Sequence, residues 1–212
     1  MSDLTEKKAR LTMSLRAQAI LSSPVLSAIE SIPREIFIEP ALKQHAYENA
    51  SLPIACEQTI SQPYIVAKMT EALELTNRHT VLEIGTGSGY QASILSLLAR
   101  RVYSMERHRQ LFVEARNHLA ELKLTNVTLR LGDGFFGWPE AAPFDRIIIT
   151  CQVDKVPDAL IHNLKPDGVL IAPVGPAGKE FLTKLIKKGD VIHTEQLISV
   201  RFVPMIPGIE NA

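Results

Sequence analysis

The sequence predicts an α/β chain whose sheet is doubly wound and mostly parallel, with an antiparallel C-terminal strand and an N-terminal helical extension. Three observations predict it. From residue 80 onward short apolar runs alternate with stretches of helical period. The first of these runs opens directly into Gly85-Thr86-Gly87-Ser88-Gly89. Residues 1–75 instead read as helices broken by Pro24, Pro33, Pro40, Pro53 and Pro63. The expected division is 1–75 for the extension and 76–212 for a core forming one structural unit.

Within the extension, Ser23 is expected to cap a short helix entered at Pro24 and closed by Pro33. In the core, Val81-Leu82-Glu83-Ile84 reads as a strand and 91–99 as a helix, with Ile94, Leu95, Leu97 and Leu98 in helical spacing. Residues 102–105 make a second strand. Leu111, Ala115, Leu119 and Leu122 mark one face of a second helix. Residues 127–131 alternate apolar with polar, and 146–150 form the continuous apolar run of a buried parallel strand. A helix is expected over 157–164 and a strand over 168–173. Residues 181–186 and 191–203 flank Lys187-Lys188-Gly189-Asp190, a hairpin signal that adds the antiparallel edge.

Lys plus Arg and Asp plus Glu are 23 each, so no broad basic field is available to hold nucleic acid or an anionic membrane. The only cysteines, Cys56 and Cys151, are expected to be free thiols. The first sixteen residues are charged and lack the apolar run of a signal peptide, and no segment approaches the roughly 20 apolar residues that cross a bilayer. A cytoplasmic protein is expected, a monomer or weak homo-oligomer. The six histidines show no metal-ligand spacing, so no metal is expected; His108 and His118 read as a solvated helix face.

The glycine segment lies between a strand and its helix, where open α/β sheets bind ligands. Its spacing is G-x-G-x-G, with Tyr90 where a dinucleotide fingerprint needs its third glycine, and no Gly-Lys-Ser/Thr follows to cradle phosphates. Glu106, ending the second strand, can accept both hydroxyls of a ribose. Asp133, in Gly132-Asp133-Gly134 after the third strand, can accept from an adenine amino group, though Gly-Asp-Gly is also plain turn chemistry. Together they describe a nucleoside pocket without a phosphate site, which S-adenosylmethionine fits. Loop, Glu106 and Asp133 resemble, in order and spacing, the cofactor motifs of Rossmann-like methyltransferases.

Gln58-Thr59-Ile60-Ser61-Gln62-Pro63-Tyr64 and the run from Val81 to Ala92 resemble the protein-L-isoaspartate O-methyltransferases closely. Weaker echoes are Ile32-Pro33-Arg34-Glu35-Ile36-Phe37, Trp138-Pro139, Leu164-Lys165-Pro166 and Val200-Arg201-Phe202-Val203-Pro204. The resemblance implies an enzyme methylating the free carboxylate of isoaspartyl residues in damaged proteins and peptides, with S-adenosyl-L-methionine as cofactor. The ester would then collapse to a succinimide unaided. Ser61 would be the catalytic serine, with Thr59 and Ile60 closing over the cofactor from a loop of the extension. Glu83, Gly85, Gly87, Ser88, Glu106 and Asp133 would bind the cofactor, with Thr86, Gly89, Arg107 and Gly134 beside them. Ser61 and Val203 would hold the substrate peptide. From the residues alone, Ser61 reads as a helix N-cap before Pro63; the two roles are compatible.

Two departures border this site. Glu57 stands where that family typically has glycine, and a glutamate does not easily copy a glycine conformation. Cys151-Gln152 replaces a pair of small residues; Cys151 reads as a buried small side chain rather than a nucleophile. Two other readings stay open: methylation of RNA or a small molecule on the same scaffold, and a catalytically weak S-adenosylmethionine-binding relative.

Overall fold

The computed structural model describes residues 3–210; residues 1, 2, 211 and 212, at the outer ends of the two expected segments, lie outside the described residues. The N-terminal part consists of α1 (Asp3–Ala17), α2 (Ser23–Ser31), two 3-10 turns (Arg34–Phe37 and Pro40–His45), β1 (Leu52–Pro53), β2 (Thr59–Ile60) and α3 (Pro63–Ala72). The cap of α2 is one residue earlier than expected: the Ser22 hydroxyl oxygen accepts from the Val25 N–H at 3.5 Å. Pro24 sits in the first turn, where its missing N–H costs nothing.

Strands β1 and β2 pair antiparallel around Ala55–Gln58, where Gln58 N–H donates to Ala55 O at 3.2 Å. The two central residues, Cys56 and Glu57, have φ of 58° and 56°. Two successive left-handed residues make a hairpin turn that matches strand twist and favours Asn-Gly. Glu57 therefore does adopt the glycine-type conformation, against expectation, at about 1–2 kcal/mol for a residue with a Cβ. Glu57→Gly is expected to stabilise the protein by about 1 kcal/mol in urea unfolding. Glu57→Ala, which keeps a Cβ, should leave stability unchanged; equal gains from both would assign the effect to charge.

The remaining elements are β3 (Thr80–Ile84), α4 (Tyr90–Leu98), β4 (Arg101–Glu106), α5 (Arg109–Glu121), β5 (Val127–Leu131), β6 (Phe144–Ile149), α6 (Asp158–His162), β7 (Leu164–Val174), β8 (Glu180–Lys188) and β9 (Val191–Val200). They form one seven-stranded sheet of order β5-β4-β3-β6-β7-β8-β9. The first five positions run parallel, while β8 pairs antiparallel with both neighbours. The opposed strand thus lies inside the sheet and β9 forms its edge. Strand β3 is buried along its whole length, as its apolar run requires. Helix α6 is shorter than expected and β7 starts earlier, at Leu164. Among the described residues no helix is long and apolar enough to cross a membrane.

Leu15, Ile29, Ile32 and Phe37 of the N-terminal part share one buried cluster with Tyr90, Ile94 and Leu111 of α4 and α5. Full burial of such side chains contributes roughly 1.5–3 kcal/mol each. Arg34 is wholly buried; its guanidinium lies 5.0 Å over the Tyr90 ring and donates to Ala50 O at 3.3 Å. These contacts hold the β1–β2 hairpin over the end of the sheet where the strand order reverses, between β3 and its two neighbours.

Candidate active site

The end of β3 is bound to the strands on either side. Gly85 N–H donates to Met105 O at 2.9 Å, and the Thr150 hydroxyl, just after β6, lies 2.6 Å from Gly85 O and 2.9 Å from Ile84 O. Gly85 has φ 95°, and a Cβ there would stand 2.3 Å from Thr150 Oγ1. The chain can pass only as glycine.

Glu106 is nearly buried, and its carboxylate is held by backbone. Gly87 N–H donates to Oε2 at 2.8 Å, while Arg107 and His108 N–H donate to Oε1 at 2.8 and 2.9 Å. Oε2 keeps a lone pair for a ligand hydroxyl. From the other side, His118 of α5 donates its Nδ1 proton to Ser88 O at 2.8 Å, its ring edge-on to Phe37 at 5.2 Å. His118 is thus half-buried and braces the glycine loop, and His108 precedes α5 and faces Glu210; neither belongs to a solvated helix face.

These residues surround a cavity of about 570 Å3. Thr59, Ile60 and Ser61 line it together with Gly85, Thr86, Gly87 and Ser88, with Glu106, Arg107 and Gly134, and with Val203 from the segment after β9. Ser61 does not cap α3. That position is Gln62, and no side chain caps it. Among the described residues nothing hydrogen-bonds the Ser61 hydroxyl, which leaves it available to a ligand. Cys151 also lines the cavity; burial, then the Glu106 charge, push its thiol up to about 12, so it stays protonated at neutral pH. The Gln152 side chain turns away, donating to Gly175 O at 2.7 Å and Asp154 Oδ1 at 3.0 Å.

Three expected cofactor residues do not line the cavity. Gly89 starts α4 against Ala115. Asp133 accepts from Phe135 N–H at 2.9 Å and Gly208 N–H at 2.6 Å. Glu83 lies beneath the loop, fully buried; Ser104 donates to it, and Ser104 Oγ is 2.6 Å from Thr86 Oγ1. Burial pushes its carboxyl from an ordinary 4.5 up to about 8, with the Glu106 charge adding to the rise and the Ser104 hydrogen bond opposing it. Unfolded, Glu83 loses its proton near pH 4.5; folded, it keeps it until about pH 8. Stability therefore falls as pH rises through that window. Glu83→Gln cannot titrate, so its Tm advantage over the parent should widen from pH 5 to pH 8. A constant difference across that range would exclude the buried titration.

Sequence reading placed Val203 at the site but missed Thr150, since a threonine ending a strand carries no signal, and the segment 204–210 beyond Val203. Val203, Pro204, Met205, Ile206 and Glu210 all line the cavity. Only the break at Pro207-Gly208 sets that stretch apart.

The sequence profile of the protein-L-isoaspartate(D-aspartate) O-methyltransferases matches residues 6–210. The chain belongs to this family. A protein-L-isoaspartate O-methyltransferase of Parvibaculum lavamentivorans is 50% identical over 212 residues, covering 99% of this chain and 96% of its own length. One from Azorhizobium caulinodans is 50% identical over 204 residues, 96% of this chain and 94% of its own. A solved structure of a protein-L-isoaspartate O-methyltransferase, 29% identical, superposes with a TM-score of 0.83 over 93% of this chain, which spans 65% of that one. A Plasmodium falciparum member in complex with S-adenosyl-L-homocysteine superposes at 0.81 over 97% of this chain and 99% of its own; at 19% identity it shows the shared fold. Gln58, Thr59, Ile60 and Ser61 thus line one cavity with Gly85, Thr86, Gly87 and Ser88 of the glycine loop.

Proposed function

We propose that this chain transfers the methyl group of S-adenosyl-L-methionine to the free carboxylate of L-isoaspartyl residues in damaged proteins and peptides. What carries the reading is the placement of Thr59, Ile60 and Ser61, from the segment that resembles the family most specifically, in one cavity with the glycine loop. The cavity fits the cofactor: a backbone-held carboxylate at Glu106, open backbone at the glycine loop and no phosphate cradle. When bound, S-adenosylmethionine supplies an electrophilic sulfonium methyl. An isoaspartyl carboxylate, with a pKa of about 4, is already an anionic nucleophile at neutral pH and needs no base. The chain's task is positioning, which can supply up to about 7–11 kcal/mol of the barrier. Ser61 donates a hydrogen bond that orients the carboxylate, Glu106 takes ribose hydroxyls, Thr59 and Ile60 close the hairpin side, and Val203 borders the peptide.

The finer assignments belong to the same proposal. The extension, 1–75, acts as the closing unit on the core, 76–212. The protein works in the cytoplasm as a monomer or weak homo-oligomer without nucleic acid or membrane, a reading supported by its balanced charge. The test is methyl transfer from labelled S-adenosylmethionine to matched isoaspartyl and aspartyl peptides. Base-labile methyl ester on the isoaspartyl peptide alone is expected. Transfer to neither peptide, with cofactor binding intact, would overturn the reading.

A further inference from the structure

After β9 the chain turns back across the carboxyl ends of the parallel strands. Pro204 bridges Gln152 beyond β6, and Met205 N–H donates to Gln152 O at 2.8 Å. Gly208 N–H then donates to Asp133 Oδ2, beyond β5, at 2.6 Å. Glu210 ends beside β4. Its N–H donates to Arg107 O at 2.9 Å, its carbonyl accepts from Arg109 N–H at 3.1 Å, and its carboxylate meets Arg107 Nη1 at 2.8 Å and His108 Nδ1 at 3.1 Å. Arg107 Nε also donates to Gly208 O at 3.2 Å. Both residues that receive this segment flank the nucleoside end of the cavity: Arg107 follows Glu106, and Asp133 lies between the two glycines of the next loop.

We propose that residues 204–210 form a strap that is part of the nucleoside site, with Gly208 and Glu210 as positioning residues that set how long the nucleoside stays bound. Gly208 does this by fastening, through Asp133 Oδ2, the loop whose Gly132 and Gly134 line the cavity; Asp133 Oδ1 is already committed to Phe135 N–H. Glu210 does it by tying down Arg107 and His108, whose own amides hold Glu106. The strap therefore reaches the Gly132–Gly134 loop through one hydrogen bond and the Glu106 carboxylate through one residue. Its two fastenings differ in strength. The Arg107–Glu210 pair is partly exposed, with side chains 21% and 47% accessible, so it contributes little and is screened by salt. The Gly208 fastening is short, directed and made to a carboxylate, which places it among the stronger hydrogen bonds.

Gly208 allows a discriminating experiment. Its φ is 83°, and a Cβ there would meet nothing within 4 Å. Gly208→Asn keeps the N–H and tolerates the left-handed conformation, whereas Gly208→Pro loses both. The inference rests on the pocket taking the cofactor as proposed above, so binding of S-adenosylhomocysteine to the parent chain is measured first. Its release rate is then followed by stopped flow, alongside KM and kcat with an isoaspartyl peptide. Gly208→Pro is expected to speed release and raise the KM for S-adenosylmethionine about tenfold, with the peptide KM within about twofold and Gly208→Asn near the parent. Glu210→Ala should speed release about threefold, and release from it should vary less with salt than release from the parent. No binding to the parent overturns both readings. Binding with unchanged release in Gly208→Pro, or equal effects of the proline and asparagine variants, overturns the strap alone.

Discussion

Gly85→Ala is expected to lower affinity for S-adenosylhomocysteine by about a hundredfold or more and to destabilise the fold by about 2–4 kcal/mol. Two separate physical causes act at that position. At φ 95° a Cβ is disfavoured wherever it points, and here it points at Thr150 Oγ1, 2.3 Å away. Thr150 cannot withdraw cheaply, because its hydroxyl serves Ile84 O and Gly85 O and so fixes the departure of the loop from β3. The loop must shift instead, carrying Gly87 away from Glu106 and undoing the carboxylate's alignment. The double variant Gly85→Ala/Thr150→Ala separates the causes. It removes the collision but not the backbone strain, so recovery should be partial in both calorimetric affinity and thermal unfolding. Full recovery would mean that φ costs nothing here; none would mean that the collision is not what displaces the loop.

Ser61→Ala should reduce kcat/KM for an isoaspartyl peptide by about 10–100-fold, the range for losing one hydrogen bond to a charged group in a reacting complex. S-adenosylhomocysteine affinity should stay within about twofold and Tm should not move. The last expectation follows from the geometry: with Gln62 at the N-cap and no side-chain cap on α3, removing the Ser61 hydroxyl removes no support from the helix. A fall in Tm by several degrees would show a capping role after all. An unchanged rate would remove Ser61 from the reaction and leave the substrate carboxylate to be oriented by other groups on that wall.

The parallel core was legible because β3, β4 and β6 are short, mostly apolar runs alternating with helical spacing, and the loop after β3 is marked by its glycines. Glu106 was legible for a similar reason: a carboxylate at the end of a strand next to that loop has few other uses. The β1–β2 hairpin was not, since strands of two residues cannot show alternation and Cys56-Glu57 gives no turn signal. Glu83 was placed at the cofactor by resemblance, yet alternation along Val81-Leu82-Glu83-Ile84 sets it on the opposite face from Leu82 and Ile84, where it pairs with Ser104. His118 shows the limit from the other direction. Its spacing on α5 suggested solvent, and only the folding of Phe37 and Ser88 onto that helix gives the imidazole its partners.

The cavity takes its walls from residues 56–61 early in the sequence and from residues 203–206 and Glu210 late in it. During synthesis the ribosome delivers the glycine loop and Glu106 long before Val203 to Glu210 emerge. A nascent chain therefore meets the cell's pool of cofactor with an incomplete pocket. Stability from the nucleoside comes only to a chain that already carries both of those segments.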